Sequence, residues 1–284
     1  MSEPPTDRDK SATAQPETVL RLHLEAGVDE VLADVPIDRF AASAGGTRPQ
    51  RPEPVRSSIG PPTALGARDV SLPAGGQGNA ALARALASAA LSLTDLRQTL
   101  EKFEGCALKQ TAKSLVFGNG DPKAAVMLIG EAPGADEDRE GLPFVGVSGQ
   151  LLDRMFASIG LDRDSIYVTN ILPWRPPGNR EPTPAEISAC LPFIQRHIDL
   201  VAPRILVLIG GTSAKTMLGR KEGIMRLRGR WLAYARAEGD SDPIPTLATF
   251  HPAFLLRSPA QKSNAWRDLL KIRRKLSEIS EEHA

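Results

Sequence analysis

The stretch Ala124-Ala125-Val126-Met127-Leu128-Ile129, followed by Gly130-Glu131-Ala132-Pro133-Gly134, decides the fold class of this chain. Its first part is an apolar run of strand length, and its second part is a glycine-rich turn. Because the run does not alternate with polar residues, it predicts a strand that is buried on both faces, as in a parallel sheet covered by helices. The turn brings a carboxylate to the end of that strand.

The same pattern of an apolar strand, a polar or glycine-rich loop and a helix recurs along the rest of the chain. It predicts an α/β fold with three layers, α/β/α, around a central four-stranded, mainly parallel sheet. In such sheets ligands bind beyond the carboxyl ends of the strands. The further strands are expected at 165–171, 204–209 and 245–250, and the helices at 149–159, 184–201, 212–218 and 260–280.

The amino-terminal part of the chain has a different character. Residues 17–39 predict a short amphipathic helix, whereas 41–78 are rich in Pro, Gly, Ser, Ala and Arg and predict a disordered linker. A helical pattern then begins at about 80 and runs to 103. We therefore expect an amino-terminal extension over 1–78 and a folded domain over 79–284.

Composition excludes several classes of protein. The chain of 284 residues is 41% hydrophobic and 24% charged, and it contains no apolar run that could cross a bilayer. Two cysteines are too few for a disulfide framework. These features predict a cytoplasmic protein without a membrane partner, and we expect it to be a monomer. The net charge of +1 does not by itself indicate nucleic acid, and the basic run over 215–230 fits either an ordinary solvated surface or a phosphate-binding one.

Three predicted strands each bring one polar group to the same edge of the sheet: Glu131, Asn170 and His251. Glu131 and Asn170 also have ordinary interpretations, as a surface residue on a tight turn and as a turn residue. Asn170 offers a donor and an acceptor in fixed orientation, which suits the edge of a pyrimidine. Phe144, held between Pro143 and Val145-Gly146, fits either core packing or a stacking platform for a planar base.

Four strings in register closely resemble the family 4 (type-4) uracil-DNA glycosylases, over about 104–275. The resemblance implies the uracil-DNA glycosylase fold and hydrolysis of the N-glycosidic bond of deoxyuridine in DNA, which releases uracil and leaves an abasic site. We keep as an alternative a non-catalytic DNA- or nucleotide-binding relative that retains the base pocket. A dinucleotide- or phosphate-binding protein that uses the 130–134 loop is disfavoured, because the loop matches neither the Gly-x-Gly-x-x-Gly pattern nor the Gly-Lys-Ser/Thr pattern. The strings are Gly130-Glu131-Ala132-Pro133-Gly134, Gly141-Leu142-Pro143-Phe144-Val145-Gly146, Arg175-Pro176-Pro177-Gly178-Asn179-Arg180 and His251-Pro252-Ala253-Phe254-Leu255-Leu256-Arg257.

The resemblance also implies roles for individual residues. Glu131 and Glu137 would orient the water or stabilise positive charge on the sugar, and His251 would hold the pyrimidine oxygen that becomes anionic. The base pocket would be formed by Ala132, Phe144, Asn170 and Asn179, with Phe144 stacking on the flipped base and Asn170 reading its edge. Arg228 and Arg257 would meet the phosphates of uracil-containing DNA, single- or double-stranded.

The chain departs from the family at its iron–sulfur ligands. Members typically hold a 4Fe-4S cluster on four cysteines, and the matching positions here are Phe103, Cys106, Trp174 and Cys190. A cubane cluster normally needs four thiolates, and neither Phe nor Trp ligates iron. We therefore expect no metal and no cofactor, with Phe103 and Trp174 packed against each other in place of the cluster and Cys106 and Cys190 left as buried thiols.

Overall fold

Four parallel strands form the centre of a six-stranded sheet in the structure, a computed structural model that describes residues 75–236 and 242–281. The sheet order is β1-β3-β2-β4-β6-β5, and the two edge strands, β1 and β5, run antiparallel to their neighbours. The strands are β1 Asn119–Gly120, β2 Val126–Gly130, β3 Ile166–Asn170, β4 Ile205–Ile209, β5 Trp231–Tyr234 and β6 Ile244–Thr249.

Helices follow the strands along the chain, as the predicted α/β pattern requires. Two of them, α1 and α2, precede the sheet, and the others connect its strands or close the chain. Their bounds are α1 Gly75–Ala89, α2 Leu93–Lys102, α3 Ala135–Glu140, α4 Val147–Ala157, α5 Pro184–Val201, α6 Gly211–Leu218, α7 Ile224–Leu227, α8 Pro252–Arg257 and α9 Lys262–Glu281. Within the described ranges no helix has the length and apolar character to cross a membrane.

The sheet separates two apolar layers because successive residues of a strand point to opposite faces. On β2, Met127 and Ile129 belong to the apolar layer that contains residues of α1, α2, α5 and α6, whereas Val126 and Leu128 belong to the layer that contains residues of α4 and α9. All five residues of β2, β3 and β4 are buried. The predicted three-layer α/β/α fold is therefore confirmed. The strands that are apolar throughout are covered by helices on both faces of the sheet.

The structure differs from the sequence-based prediction in three places. Two edge strands flank the four expected ones; Asn119-Gly120 gave no signal because both residue types are depleted in strands. The helix expected over 80–103 is two helices, since Ser92 caps α2 by accepting a hydrogen bond from the Asp95 N–H. The segment 17–39 and most of the linker lie outside the described residues, and α1 begins at Gly75, so the domain boundary at 78–79 stays a prediction.

Strand β2 lies at the switch point of the sheet. The chain leaves β2 for β3 on one side and then crosses to β4 on the other. In doubly wound folds the loops beyond such a strand separate and leave a crevice at the carboxyl edge. The loop that follows β2 is Glu131-Ala132-Pro133-Gly134, so the topology sets this loop in the crevice.

Candidate active site

A pocket of about 480 Å³ opens at the carboxyl edge of the sheet. Loops after three different strands, β2, β3 and β6, supply its walls. It brings together eight of the nine residues predicted for the site, and Arg228 is the exception. Those eight are Glu131, Ala132, Glu137, Phe144, Asn170, Asn179, His251 and Arg257; Pro133, Gly134, Ser148, Pro176, Arg180, Ala253 and Phe254 complete the lining.

The two predicted carboxylates have different surroundings. Glu137 is the third residue of α3, and its Oε2 accepts a hydrogen bond from the Gly134 N–H at 3.0 Å. Its Oε1 accepts from the N–H groups of Val145 and Gly146, both at 3.0 Å. Glu137 therefore ties together the loop after β2 and the loop that carries Phe144. Within the described part of the chain, no side-chain hydrogen bond or ion pair holds the carboxylate of Glu131, which leaves that group available to a ligand.

Phe144 and Asn170 form one closely packed wall of the pocket. A Cβ added to Gly130 would lie 2.2 Å from Asn170 Oδ1 and 2.6 Å from the Phe144 ring, so only glycine fits there. Both side chains are almost fully buried. Asn170 Oδ1 is buried and has no hydrogen-bond partner among the described residues. A buried acceptor without a hydrogen-bond donor destabilises the fold, so in a pocket it indicates that the ligand supplies the donor.

His251 presents a neutral imidazole to the pocket. Its Nδ1 accepts a hydrogen bond from the Ala253 N–H at 3.2 Å, where it caps the amino terminus of α8. Since Nδ1 must offer a lone pair, the proton of the neutral ring resides on Nε2. Burial, with a smaller contribution from Arg257, lowers the pKa of His251 to about 4. The ring therefore acts as a neutral Nε2–H donor at physiological pH, and it lies 5.8 Å from the Phe144 ring, between centroids.

The predicted residues at the rim of the pocket are exposed. Asn179 accepts a hydrogen bond from Arg175 Nε at 2.7 Å, and it sits in the left-handed backbone region with a φ of 55°. Arg257 ends α8 and is exposed. Its cationic group is thus accessible from outside the pocket mouth.

Arg228 does not line the pocket, and its guanidinium is bound to other groups. Its Nε and Nη2 donate to the two carboxylate oxygens of Asp268, at 3.0 and 2.5 Å, and Asp268 is fully buried. The guanidinium lies 5.1 Å above the centre of the Phe250 ring, and Thr249 donates to the same carboxylate at 2.8 Å. Because these contacts occupy the guanidinium fork, Arg228 in this structure anchors the end of β6, next to His251, rather than presenting a free cation to DNA.

Sequence reasoning did not find two residues that support the site. Asp268 lies in the middle of α9, and Arg163 lies in the loop before β3, where it contacts the backbone of Phe144. Neither belongs to a motif. The only signal was a charged residue at a position where the helical pattern of α9 buries its neighbours Ala265, Leu269 and Ile272.

Comparison with known proteins identifies the family. The family model described as the uracil DNA glycosylase superfamily matches residues 117–270. The type-4 uracil-DNA glycosylase of Sulfurisphaera tokodaii is 38% identical over 187 residues, which cover 64% of this chain and 84% of the relative. That of Archaeoglobus fulgidus is 36% identical over 185 residues, covering 64% and 92%. That of Thermotoga maritima is 35% identical over 165 residues, covering 57% and 81%.

These relatives correct the prediction about cofactors. Type-4 uracil-DNA glycosylases are 4Fe-4S cluster proteins, so the expectation of a cofactor-free protein, drawn from Phe103 and Trp174, is wrong for the family that the sequence matches. At the four matching positions this chain offers two thiols, Cys106 and Cys190, both buried and close enough that a hydrogen bond to Cys190 lowers the pKa of Cys106. Two thiolates do not fill the ligand set of a cubane.

The two aromatic rings at the other cluster positions are buried in the same apolar layer. Phe103 packs edge to face against Phe193, with ring centroids 4.9 Å apart, whereas the sequence led us to expect Trp174 as its partner. At two of the four positions where the family has a cysteine ligand, this chain therefore has an aromatic residue that cannot bind iron. None of the residues at these four positions lines the pocket, although Trp174 shares the segment after β3 with the lining residues Pro176, Asn179 and Arg180.

Proposed function

The chain is an enzyme that belongs to the type-4 uracil-DNA glycosylases, within the uracil DNA glycosylase superfamily, and we propose that it hydrolyses the N-glycosidic bond of deoxyuridine in DNA. The products would be free uracil and an abasic site. The relatives carry this activity in their names. In the chain itself, the observation that carries the proposal is the buried Oδ1 of Asn170 on the pocket wall, which has no hydrogen-bond partner within residues 75–236 and 242–281.

The edge of uracil complements that wall. Uracil has an N3–H donor between two carbonyl acceptors, and Asn170 can accept from N3–H through Oδ1 while its amide group donates to O4. Cytosine has an acceptor at N3 and an amino donor at C4, so it would leave Asn170 mispaired. A buried polar group left unpaired costs about 1–3 kcal/mol, which favours uracil over cytosine. Phe144 supports the same reading, because its face can stack on a flipped base.

Cleavage of the bond between N1 and C1′ leaves the electron pair on the pyrimidine and an electron-deficient sugar. The Nε2–H of His251 would donate to O2, where the negative charge develops. A preorganised donor of this kind is worth about 2.7–4 kcal/mol, or roughly 10²–10³ in rate. Glu131, whose carboxylate has no side-chain hydrogen bond or ion pair in the part of the chain that the structure describes, would stabilise the positive sugar and orient the water that adds to C1′, and would receive the proton of that water. Glu137 would hold the two loops in place rather than act on the water.

A cleavage assay tests the proposal. The full chain is incubated with an end-labelled oligonucleotide that contains one uracil, single- or double-stranded, and abasic sites are then cut with alkali. We expect cleavage at the uracil and none at a matched cytosine. We expect Asn170→Ala to lose activity and Lys123→Ala, on the exposed turn before β2, to keep it. Binding without cleavage at high enzyme concentration would instead favour the non-catalytic relative.

The same proposal includes the contact surface and the setting of the enzyme. Arg257, exposed at the pocket mouth, would meet a phosphate of the DNA, which adds affinity without reading sequence. We retain from the sequence a monomer that acts in the cytoplasm on single- or double-stranded DNA. Base flipping would bring the uracil from the duplex into the pocket.

A further inference from the structure

Phe144 has a strained backbone. Its φ of 55° lies in the left-handed region, which bulky side chains rarely adopt. Such a conformation costs about 1–3 kcal/mol and persists only where the surroundings enforce it. The residue that is proposed to stack on the base is therefore held in place by contacts outside itself.

The backbone around Phe144 is held from two sides. On one side, Glu137 accepts the N–H groups of Val145 and Gly146. On the other side, Arg163 donates from Nη2 to the carbonyl oxygen of Phe144 at 2.5 Å and from Nη1 to that of Pro143 at 3.2 Å. One guanidinium fork thus fixes the two carbonyl groups that flank the strained torsion.

Arg163 is itself fixed by α4. Its Nε donates to Asp153 Oδ1 at 2.6 Å, and its side chain is only 23% exposed. The first turn of α4 also presses on the same carbonyl group, since a Cβ added to Gly149 would lie 1.8 Å from the Phe144 oxygen. The Phe144 carbonyl is therefore confined between a glycine of α4 and a guanidinium that α4 orients.

We infer that Arg163 is a positioning residue for recognition of the base: it holds the strained backbone of Phe144 and so sets the ring against the pocket wall. This inference rests on the proposed function, because it assigns the ring to a flipped base. Arg163 does not line the pocket, so its effect must pass through Phe144.

Single-turnover excision of uracil tests this coupling. The variants are Arg163→Gln, Phe144→Ala and the double variant, and each is characterised by its half-saturating enzyme concentration and its maximal rate. Loss of one stacked base predicts a rise of about 5- to 150-fold in half-saturation for Phe144→Ala. We expect Arg163→Gln to raise it by about 5- to 30-fold, with a smaller effect on the maximal rate, and the double variant to match Phe144→Ala within about twofold.

The inference is overturned if Arg163→Gln behaves as wild type, or if the two losses multiply in the double variant. Arg154→Gln, on the exposed face of α4, is the matched control and should have no effect. If Arg163→Gln does not fold, Asp153→Ala removes the acceptor that holds Arg163 Nε without removing the guanidinium, and we expect a smaller rise in half-saturation that Phe144→Ala again masks.

A binding measurement separates this inference from the proposed function. Affinity is measured for a fluorescent oligonucleotide that carries 2′-fluoro-2′-deoxyuridine, which resists hydrolysis. An inactive wild-type protein would contradict the proposed function. If the wild-type protein binds this probe, whether or not it is active, then an Arg163→Gln variant that binds the probe with the same affinity as wild type contradicts the role of Arg163. A wild type with neither activity nor binding overturns both.

Discussion

Replacement of Asp268 by Asn removes the charge from a carboxylate that three hydrogen bonds hold in the core. Arg228 donates to it twice and Thr249 once, and its side chain is 1% exposed. An amide offers one acceptor and turns its NH₂ group toward a donor, so Arg228 keeps a largely buried charge without a full partner. Loss of one member of a buried ion pair costs about 3–5 kcal/mol. We expect Asp268→Asn to lower the free energy of unfolding by that amount, or Tm by about 6–20 °C.

The charges themselves contribute little net stability. Burial raises the pKa of Asp268, and the bonds from Thr249 and Arg228 offset this only in part. A carboxyl group whose pKa is higher in the folded state binds protons more readily there, so its contribution to stability falls as the pH rises through the raised pKa. Ionised Asp268 is therefore tolerated rather than favoured. An apolar variant, Arg228→Met with Asp268→Leu and Thr249→Val, should come within about 2 kcal/mol of wild type.

Urea unfolding followed by circular dichroism measures these differences, with the slope of the transition as a check on two-state behaviour. Glu278→Gln on the exposed side of α9 is the control, and we expect it to cost less than about 1 kcal/mol. If Asp268→Asn costs less than about 1 kcal/mol, or if the apolar variant costs more than the single substitution, then the explanation given for this pair is wrong.

Three further predictions concern the pocket. Because the pKa of His251 is about 4, its ring should not titrate in NMR spectra between pH 5 and 8 and should carry its proton on Nε2. The stability that the neutral ring provides is complete above about pH 6.5 and is lost as the pH falls toward 4. An NMR titration of His251 with its midpoint near pH 6.5 would contradict this prediction. Glu131→Gln should slow excision about 100-fold or more without a change in Tm. Glu137→Gln should lower the free energy of unfolding by about 1–3 kcal/mol, because its carboxylate holds three backbone N–H groups. Equal Tm values for the two variants would refute the assignment of a catalytic role to Glu131 and a structural role to Glu137. Gly130→Ala should reduce the single-turnover rate of excision at least about 10-fold, because the added Cβ displaces Asn170 or Phe144. Wild-type activity would show that these side chains can shift without loss of function.

The central strands and the three polar residues at their ends were predictable because their signals are local, whereas Ala132, Glu137 and Asn179 were predicted only through the family resemblance. An apolar run followed by glycines predicts a buried strand and its loop wherever it occurs, and parallel strands bring their loops to one edge. Glu131, Asn170 and His251 therefore met at the pocket as expected. The edge strand β1 could not be predicted in the same way, because two residues carry no period and depend on pairing with β3 for their conformation.

Residues of the same type have different roles here because of contacts between distant parts of the chain, and the local sequence does not reveal those contacts. Glu131 and Glu137 are six positions apart in one loop and helix, yet only Glu137 meets the N–H groups of the Phe144 loop. Arg228 and Arg257 both looked like phosphate ligands, but Arg228 meets a buried carboxylate 40 residues further along. Arg257 remains exposed at the pocket mouth, so of these two arginines it is the one whose loss should weaken binding to DNA and reduce the dependence of that binding on salt.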